Sequence, residues 1–250
     1  TVWIVATVCG CVLGVVLLVG MLAAIMMPAV GAARASARRA QCAINLKQIQ
    51  NAIQAYHQEH GQYPPAYSVD DAGRRLHSWR VLILPYLGPE AASIYAQIEL
   101  KEPWDSAMNM RFNSMMPPVF ACPEDPESNL GDTSYSAIAG PGAILDPKSI
   151  VTEANVMQGD GTWQTALIVE MSGSGINWME PKDLTVADLA QGINSGVNGT
   201  CCSNHVGGGT NVVFADGTTR FIPDTLTAED LHAMATYDGG EIVEDLDYYD

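Results

Sequence analysis

Hydrophobic and polar positions divide the chain into stretches of different character. Thr1 to Met27 (TVWIVATVCGCVLGVVLLVGMLAAIMM) is apolar throughout and carries no charge. About 20 apolar residues cross the ~30 Å hydrocarbon core of a bilayer as a helix, so this run is long enough to span one. It is too long and too uniform for the apolar region of a cleaved secretory signal, and no basic segment precedes it in the sequence. From residue 29 the pattern changes without stopping. Ala, Gln and Arg favour a helix to His60, and Cys42, Leu46, Ile49, Ile53 and Tyr56 recur at steps of four and three, on one face. Gly61 and Pro64-Pro65 end the segment. The pattern predicts one helix of about 55–60 residues, ~90 Å long, with a kink near Pro28, where proline removes a backbone donor. Its first half must be surrounded by lipid or by copies of itself. Its second half packs on a soluble domain. The expected divisions are residues 1–28, 29–60 and 61–250.

Beyond the helix the pattern is that of short elements. Ser78 is an N-cap candidate for WRVLILPYL, broken by Pro85, and a second short helix is expected over Glu90–Leu100. VFACPEDPE reads as a short strand running into a Pro- and acid-rich turn. SYSAIAGPG and TALIVEM have strand composition, and Asp183–Leu189 reads as one or two helical turns. Val212–Ala215 and Thr218–Ile222 are predicted strands joined across Asp216-Gly217, the strongest hairpin signal in the chain. Thr227 caps a final short helix to Tyr237.

Charge sharpens this division. The net charge of −16 is unevenly spread: residues 1–60 carry four bases (Arg34, Arg38, Arg39, Lys47) and one acid (Glu59), and all the other acids lie beyond. A basic collar thus follows the apolar span and precedes an acidic head. With no basic stripe to neutralise phosphates, the head is not expected to bind nucleic acid. Cys9 and Cys11 lie in the apolar span. Cys42, Cys122, Cys201 and Cys202 lie outside it and allow three pairings, among which sequence does not choose; Cys42 and Cys122 are the disulfide candidates to test.

Several residues form an ordered set along the chain. PAVGAARASARRAQCAINLKQIQNAIQAYHQEHGQYPP is followed by Ser78-Trp79-Arg80, Leu84-Pro85-Tyr86-Leu87 and Pro103-Trp104-Asp105. Further on come Cys122-Pro123 with Asp125-Pro126, then Asp160-Gly161-Thr162, Trp178 with Pro181-Lys182-Asp183-Leu184, Asn204-His205 with Gly207-Gly208, and Ala215-Asp216-Gly217. In this order they resemble the type IV pilin-like family expanded in planctomycete bacteria, whose head has carried a label hinting at solute binding. The resemblance implies an α+β, pilin-like fold, a long N-terminal α-helix packed on an antiparallel β-sheet head. It also implies an extracytoplasmic head, which the cysteines favour too, although the collar after the span points the other way by the positive-inside rule. One departure stands out: a pilin places Glu at the fifth position, but here Val5 stands there, no acid precedes Glu59, and aligning the prolines puts that Glu at Cys11.

Three functions follow. The first is a structural subunit of a pilin-like filament, a helical polymer of this chain resident in the inner membrane before assembly and handled by pilus or type II secretion machinery. Val2, Ile4, Val15, Leu17, Leu22, Ile25 and Pro28 would then lie in the filament core or the membrane, with Arg34, Arg38 and Arg39 as an inter-subunit collar. The second is a membrane-anchored binding protein with a single span. The third, an enzyme, has no constellation behind it: His205 precedes Gly207-Gly208-Gly209 as in an oxyanion loop, but no GxSxG elbow occurs. The glycines are expected to serve a tight backbone path, with His205 bonded to nearby backbone. Cys201 and Cys202 with His205 form a weak metal-ligand set, because adjacent cysteines seldom give tetrahedral geometry. No cofactor or metal is expected. The tail acids Glu241, Glu244, Asp245, Asp247 and Asp250 are contact candidates and the only calcium candidates, without EF-hand spacing. Asn198-Gly199-Thr200 matches a glycosylation acceptor.

Overall fold

The computed structural model describes residues 2–126, 128, 131–196, 201–205 and 207–243. The chain forms two compact units, Thr1–Ala40 and Gln41–Asp250. Helix α1 spans Val2–His60 and runs through Pro28. Gly61 stops it in the left-handed region (φ 72°), its N–H reaching back to His57 O at 2.8 Å, the glycine termination that L side chains resist.

In the first unit α1 is long and apolar enough to cross a membrane. Leu17, Leu22, Ile25 and Pro28 are exposed, while the side chains of Val2, Ile4 and Val15 lie outside what is described. Arg34 and Arg39 are exposed and Arg38 is half-buried.

In the second unit the architecture is α+β, with the last part of α1 packed on a sheet as the periodicity predicts. Strands β1 (Tyr67–Val69) and β2 (Arg75–Ser78) form a small hairpin. The main sheet contains β3 (Tyr135–Ala139), β4 (Ala166–Glu170), β5 (Leu184–Thr185), β6 (Gly209–Phe214) and β7 (Thr219–Pro223), in the order β5-β3-β4-β6-β7. The pairs β3–β4, β4–β6 and β6–β7 are antiparallel, and only the short edge strand β5 runs parallel to its neighbour. The remaining helices are α2 (Trp79–Leu82), α3 (Pro89–Tyr95), α4 (Glu153–Gln158), α5 (Val186–Leu189) and α6 (Ala228–Ala235).

Both faces of the sheet are covered, which is why β4 and β6 are buried at every position rather than at alternate ones. Cys42, Leu46, Ile49 and Ile53 of α1 share one core with Trp79, Phe120, Tyr135, Trp178 and Val213. Val169, Val212, Phe214 and Ile222 face the other way and pack with Leu231 and Met234 of α6. An irregularity in the β4–β6 register between Ala166 and Ile168 lets Leu167 and Ile168 both join the α1-side core. Polar bonds pin α1 to the same face: Lys47 Nζ donates to Gly217 O at 2.7 Å and Asn45 Nδ2 to Ala121 O at 2.9 Å.

The β6–β7 hairpin forms across Asp216-Gly217 as predicted, with Gly217 at φ 85° and Asp216 accepting from Thr218 N at 2.8 Å. At its other end Gly209 is needed for space. A Cβ there would press on the Ile222 carbonyl oxygen and lie 2.8 Å from Phe221 Cε1. Gly209→Ala is therefore expected to cost about 1–3 kcal/mol, the usual scale for overpacking a fixed backbone. Urea unfolding of the full chain in detergent checks this, and an unshifted midpoint would show that β7 can give way.

Some expected elements differ. VFAC is not a strand: Pro118–Phe120 is a 3-10 turn, because Pro117 and Pro118 fix φ and Pro118 starts the turn. The helix expected over Glu90–Leu100 ends at Tyr95, after which Gln97 and Ile98 make tighter i−3 bonds. Ser78 occupies the N-cap of α2, but its Oγ donates to Trp178 O at 2.7 Å instead of capping. Thr227 does cap α6, accepting from Asp230 N at 3.1 Å.

Candidate functional site

Two of the buried polar clusters among the described residues of the head join distant segments. The first joins segments that are far apart in sequence. Arg80 Nη2 donates to Asp183 Oδ1 at 2.6 Å with both side chains buried, and Arg80 Nε and Nη2 donate to Tyr135 O at 3.1 and 2.7 Å. Asp183 Oδ1 also accepts from Trp79 Nε1 at 3.0 Å and Ala137 N at 2.9 Å. Burial pushes the Asp183 carboxyl up, and the Arg80 guanidinium, which keeps its proton in proteins, opposes that shift. The cluster ties α2 to the edge of the sheet, with Arg80 Nη1 and Asp183 Oδ2 buried beside it without a hydrogen-bond partner.

The second cluster brings four chain segments to one point. Cys42 comes from α1 and Cys122 from the loop after the Pro118–Phe120 turn; the two form a disulfide with Cα atoms 5.4 Å apart. Asn45, one turn after Cys42, holds Ala121 O, and Cys122 N donates to Ser134 Oγ at 2.9 Å, so the backbone on both sides of the bridge is fixed. Glu170 closes β4. Its Oε2 accepts from Asn211 N at 3.0 Å and Asn211 Nδ2 at 2.9 Å, both from β6. That grip leaves Oε1 facing His205 Nε2 at 3.0 Å, and the same Nε2 lies 3.7 Å from Cys122 Sγ. His205 arrives on a loop held beside β4 by Ser172 N–H donating to Cys202 O at 2.9 Å and by Asn194 Oδ1 accepting from Ser203 N at 2.9 Å. Asn194 itself sits at φ 53°, a conformation Asn tolerates.

One ligand atom from each of Cys42, Cys122, Glu170 and His205 lies within 4.8 Å of the others, all four buried; among the described residues this is the group able to hold a metal ion. A nucleophile relay is a different arrangement. There the two ring nitrogens serve separate partners, the nucleophile on one side and the orienting acid on the other. Here one nitrogen faces both, Nδ1 has no hydrogen-bond partner, and the sulfur is already bonded. Beside Cys122 a groove of about 530 Å³ opens between Gln41, Asn45 and Gln48 of α1 and Val119, Ala121 and Asp125.

The structure therefore joins Cys42 to Cys122, the candidate pair. His205 does not bond nearby backbone through its ring but a carboxylate 35 positions away in sequence. Nor are Cys201 and Cys202 its partners: their thiols donate to Glu170 O at 3.2 Å and Ser172 O at 2.8 Å, and burial pushes both thiols up, away from the thiolate a metal would need. Glu241 is exposed and its carbonyl accepts from Gln164 Nε2 at 2.8 Å. Glu244, Asp245, Asp247, Asp250 and Asn198-Gly199-Thr200 lie outside the described residues. Asn211 opens the last motif of the family resemblance, whereas nothing in the sequence singles out Glu170. No local spacing connects them, since Glu170 ends an apolar strand and meets Asn211 only through the β4–β6 pairing.

The profile of the family described as a protein of unknown function, DUF1559 (SBP_bac_10), matches residues 31–167, more than half of the chain. The chain belongs to this family. The match covers the second half of α1 and the head as far as β4, so Cys42, Cys122, Arg80 and Tyr135 fall inside it, whereas Glu170, Asp183 and His205 fall beyond it. No curated protein and no solved structure matches the chain.

Proposed function

We propose that this chain is a non-catalytic structural subunit of the cell envelope that inserts through α1 and assembles, with its head outside the cytoplasm, into a pilin-like filament. The observation that supports this most is the apolar exposure of α1. Leu17 is 65% exposed, Met21 65%, Ile25 62% and Met27 71%. Burying a side chain of this size stabilises by roughly 1.5–3 kcal/mol, so the segment demands a cover of lipid or of other α1 helices. Charge favours copies of the chain as that cover: a basic collar of Arg34, Arg38 and Arg39 follows the apolar stretch in a chain whose net charge is −16, so collar and heads of neighbouring subunits attract. A repeated contact of this kind is heterologous and builds a helical polymer.

Electron microscopy of the surface-sheared fraction tests the reading. Regular filaments containing this chain are expected, and they should be lost when Arg34, Arg38 and Arg39 are changed to Glu. Single copies remaining in the membrane would sink the filament and favour a membrane-anchored binding protein. The groove beside Cys122 is the observation on that side.

A further inference from the structure

We infer that the buried cluster has a second, reduced state in which Cys42, Cys122, His205 and Glu170 bind one zinc ion, so that the head is closed either by a disulfide or by a metal. The two states use the same sulfurs and exclude one another.

The geometry supports this, with the two sulfurs moving apart once their bond is broken. Tetrahedral zinc, with Zn–S of about 2.3 Å and Zn–N or Zn–O of about 2.0–2.1 Å, holds its ligand atoms about 3.3–3.8 Å apart. Cys122 Sγ and His205 Nε2 are already 3.7 Å apart, His205 Nε2 and Glu170 Oε1 are 3.0 Å apart, and all four ligand atoms fall within 4.8 Å. Two sulfurs, one nitrogen and one oxygen make a set that zinc accepts and calcium or magnesium do not. The supporting shell is in place: Asn211 holds Glu170 Oε2 with two donors and leaves Oε1 for the centre, and Asn45 and Ser134 hold the backbone around Cys122. His205 Nδ1, buried and without a hydrogen-bond partner, gives the ring proton somewhere to go. With Oε1 as acceptor, Nε2 carries the proton in the disulfide form. When a metal takes Nε2, that proton moves to Nδ1.

The exchange balances as follows. A dithiol gives two electrons and two protons to the Cys42–Cys122 bond, breaking it to two thiols and becoming a disulfide itself. Zinc then displaces both thiol protons and binds the two thiolates with the imidazole and the carboxylate. In the reverse direction a disulfide reagent accepts the two electrons, the S–S bond re-forms, and zinc leaves. The site would thus be metallated in a reducing compartment and cross-linked in an oxidising one, whether or not the chain polymerises.

The test uses the full chain in detergent, reduced with a phosphine and titrated with cobalt(II) in the absence of air. One cobalt per chain is expected, with the visible bands of a tetrahedral thiolate site, bleached by zinc. Zinc should raise the melting temperature of the reduced chain and leave that of the oxidised chain unchanged. His205→Ala and Glu170→Gln should each weaken uptake at least tenfold. Asn211→Ala, which keeps all four ligands and removes only their support, should weaken it about 10- to 100-fold. Circular dichroism establishes that each variant is folded. The double variant Cys201→Ser/Cys202→Ser should bind as the parent does. Absence of the bands would overturn the inference, as would bands that survive His205→Ala and disappear with Cys201→Ser/Cys202→Ser. A reduced chain that neither folds nor takes up cobalt would overturn it too.

Discussion

Asp183→Ala should destabilise the head by about 3–5 kcal/mol, the scale of a buried ion pair broken on one side. The magnitude follows from what is left behind. Arg80 is fully buried, and two of its nitrogens are satisfied by Tyr135 O. Its counter-charge is Asp183 Oδ1 at 2.6 Å, and without it a guanidinium stays in the core uncompensated. The same oxygen serves Trp79 Nε1 and Ala137 N, so two further donors lose their acceptor. Urea unfolding of the full chain in detergent reads the effect as a drop in midpoint at constant slope. The double variant Arg80→Met/Asp183→Leu separates charge from packing. Removing both charges should recover most of the loss, since apolar replacements of a buried pair are often neutral. A loss below about 1 kcal/mol for Asp183→Ala would mean that water reaches Arg80 and that the pair is not a closed network.

Loss of the Cys42–Cys122 bridge should be nearly as costly. The bridge closes a sequence separation of 80 residues. Loop-closure entropy for a ring of that size gives about 4–5 kcal/mol, and measured losses in small domains run at about 2–5 kcal/mol. Cys42→Ala/Cys122→Ala should therefore melt well below the parent, and zinc should not restore it. Mass spectrometry under non-reducing conditions should find Cys42 joined to Cys122 and Cys201 and Cys202 as thiols. Finding all four head thiols free in protein isolated without reductant would contradict the bridge.

The parts that sequence revealed are those in which one local rule suffices. Helix α1 shows its packing face because Cys42, Leu46, Ile49 and Ile53 repeat at the helical period, and it shows its end because Gly61 takes a positive φ. The β6–β7 hairpin shows itself in Asp216-Gly217. Where two rules compete, the reading fails: VFAC has strand composition, but the prolines before it set a 3-10 turn. Helix α4 lies outside the expected elements, although Thr152 and Asn155 form a reciprocal cap at its start. Strand β2 was not legible, because Arg75–Ser78 is too short for alternation to register.

The candidate site belongs to a different category. Each of its members looks ordinary in its own segment: an apolar-face cysteine, a cysteine before a proline, a glutamate at a strand end, a histidine before glycines. Only the order β3-β4-β6 and the burial of α1 against that sheet bring them to one point. The buried ion pair is similar. Trp79-Arg80 and Asp183 belong to two of the recurring motifs, but the motifs do not say that one side chain completes the other.

The position of the bridge has a mechanical consequence. Cys42 is the second residue of the head unit, and Cys122 lies 80 residues further along the chain. Tension applied to α1 from its N-terminal side meets a covalent link almost on entry and passes by the shorter route to residue 122. The intervening segment, with α2, α3 and the β1–β2 hairpin, lies off the line of force. Extended chain spans at most ~3.3–3.6 Å per residue, so about 250–300 Å of contour is locked away from stretching while the sulfurs stay joined. Opening that one bond, with no metal in its place, is what would release the segment between the two cysteines as a tether.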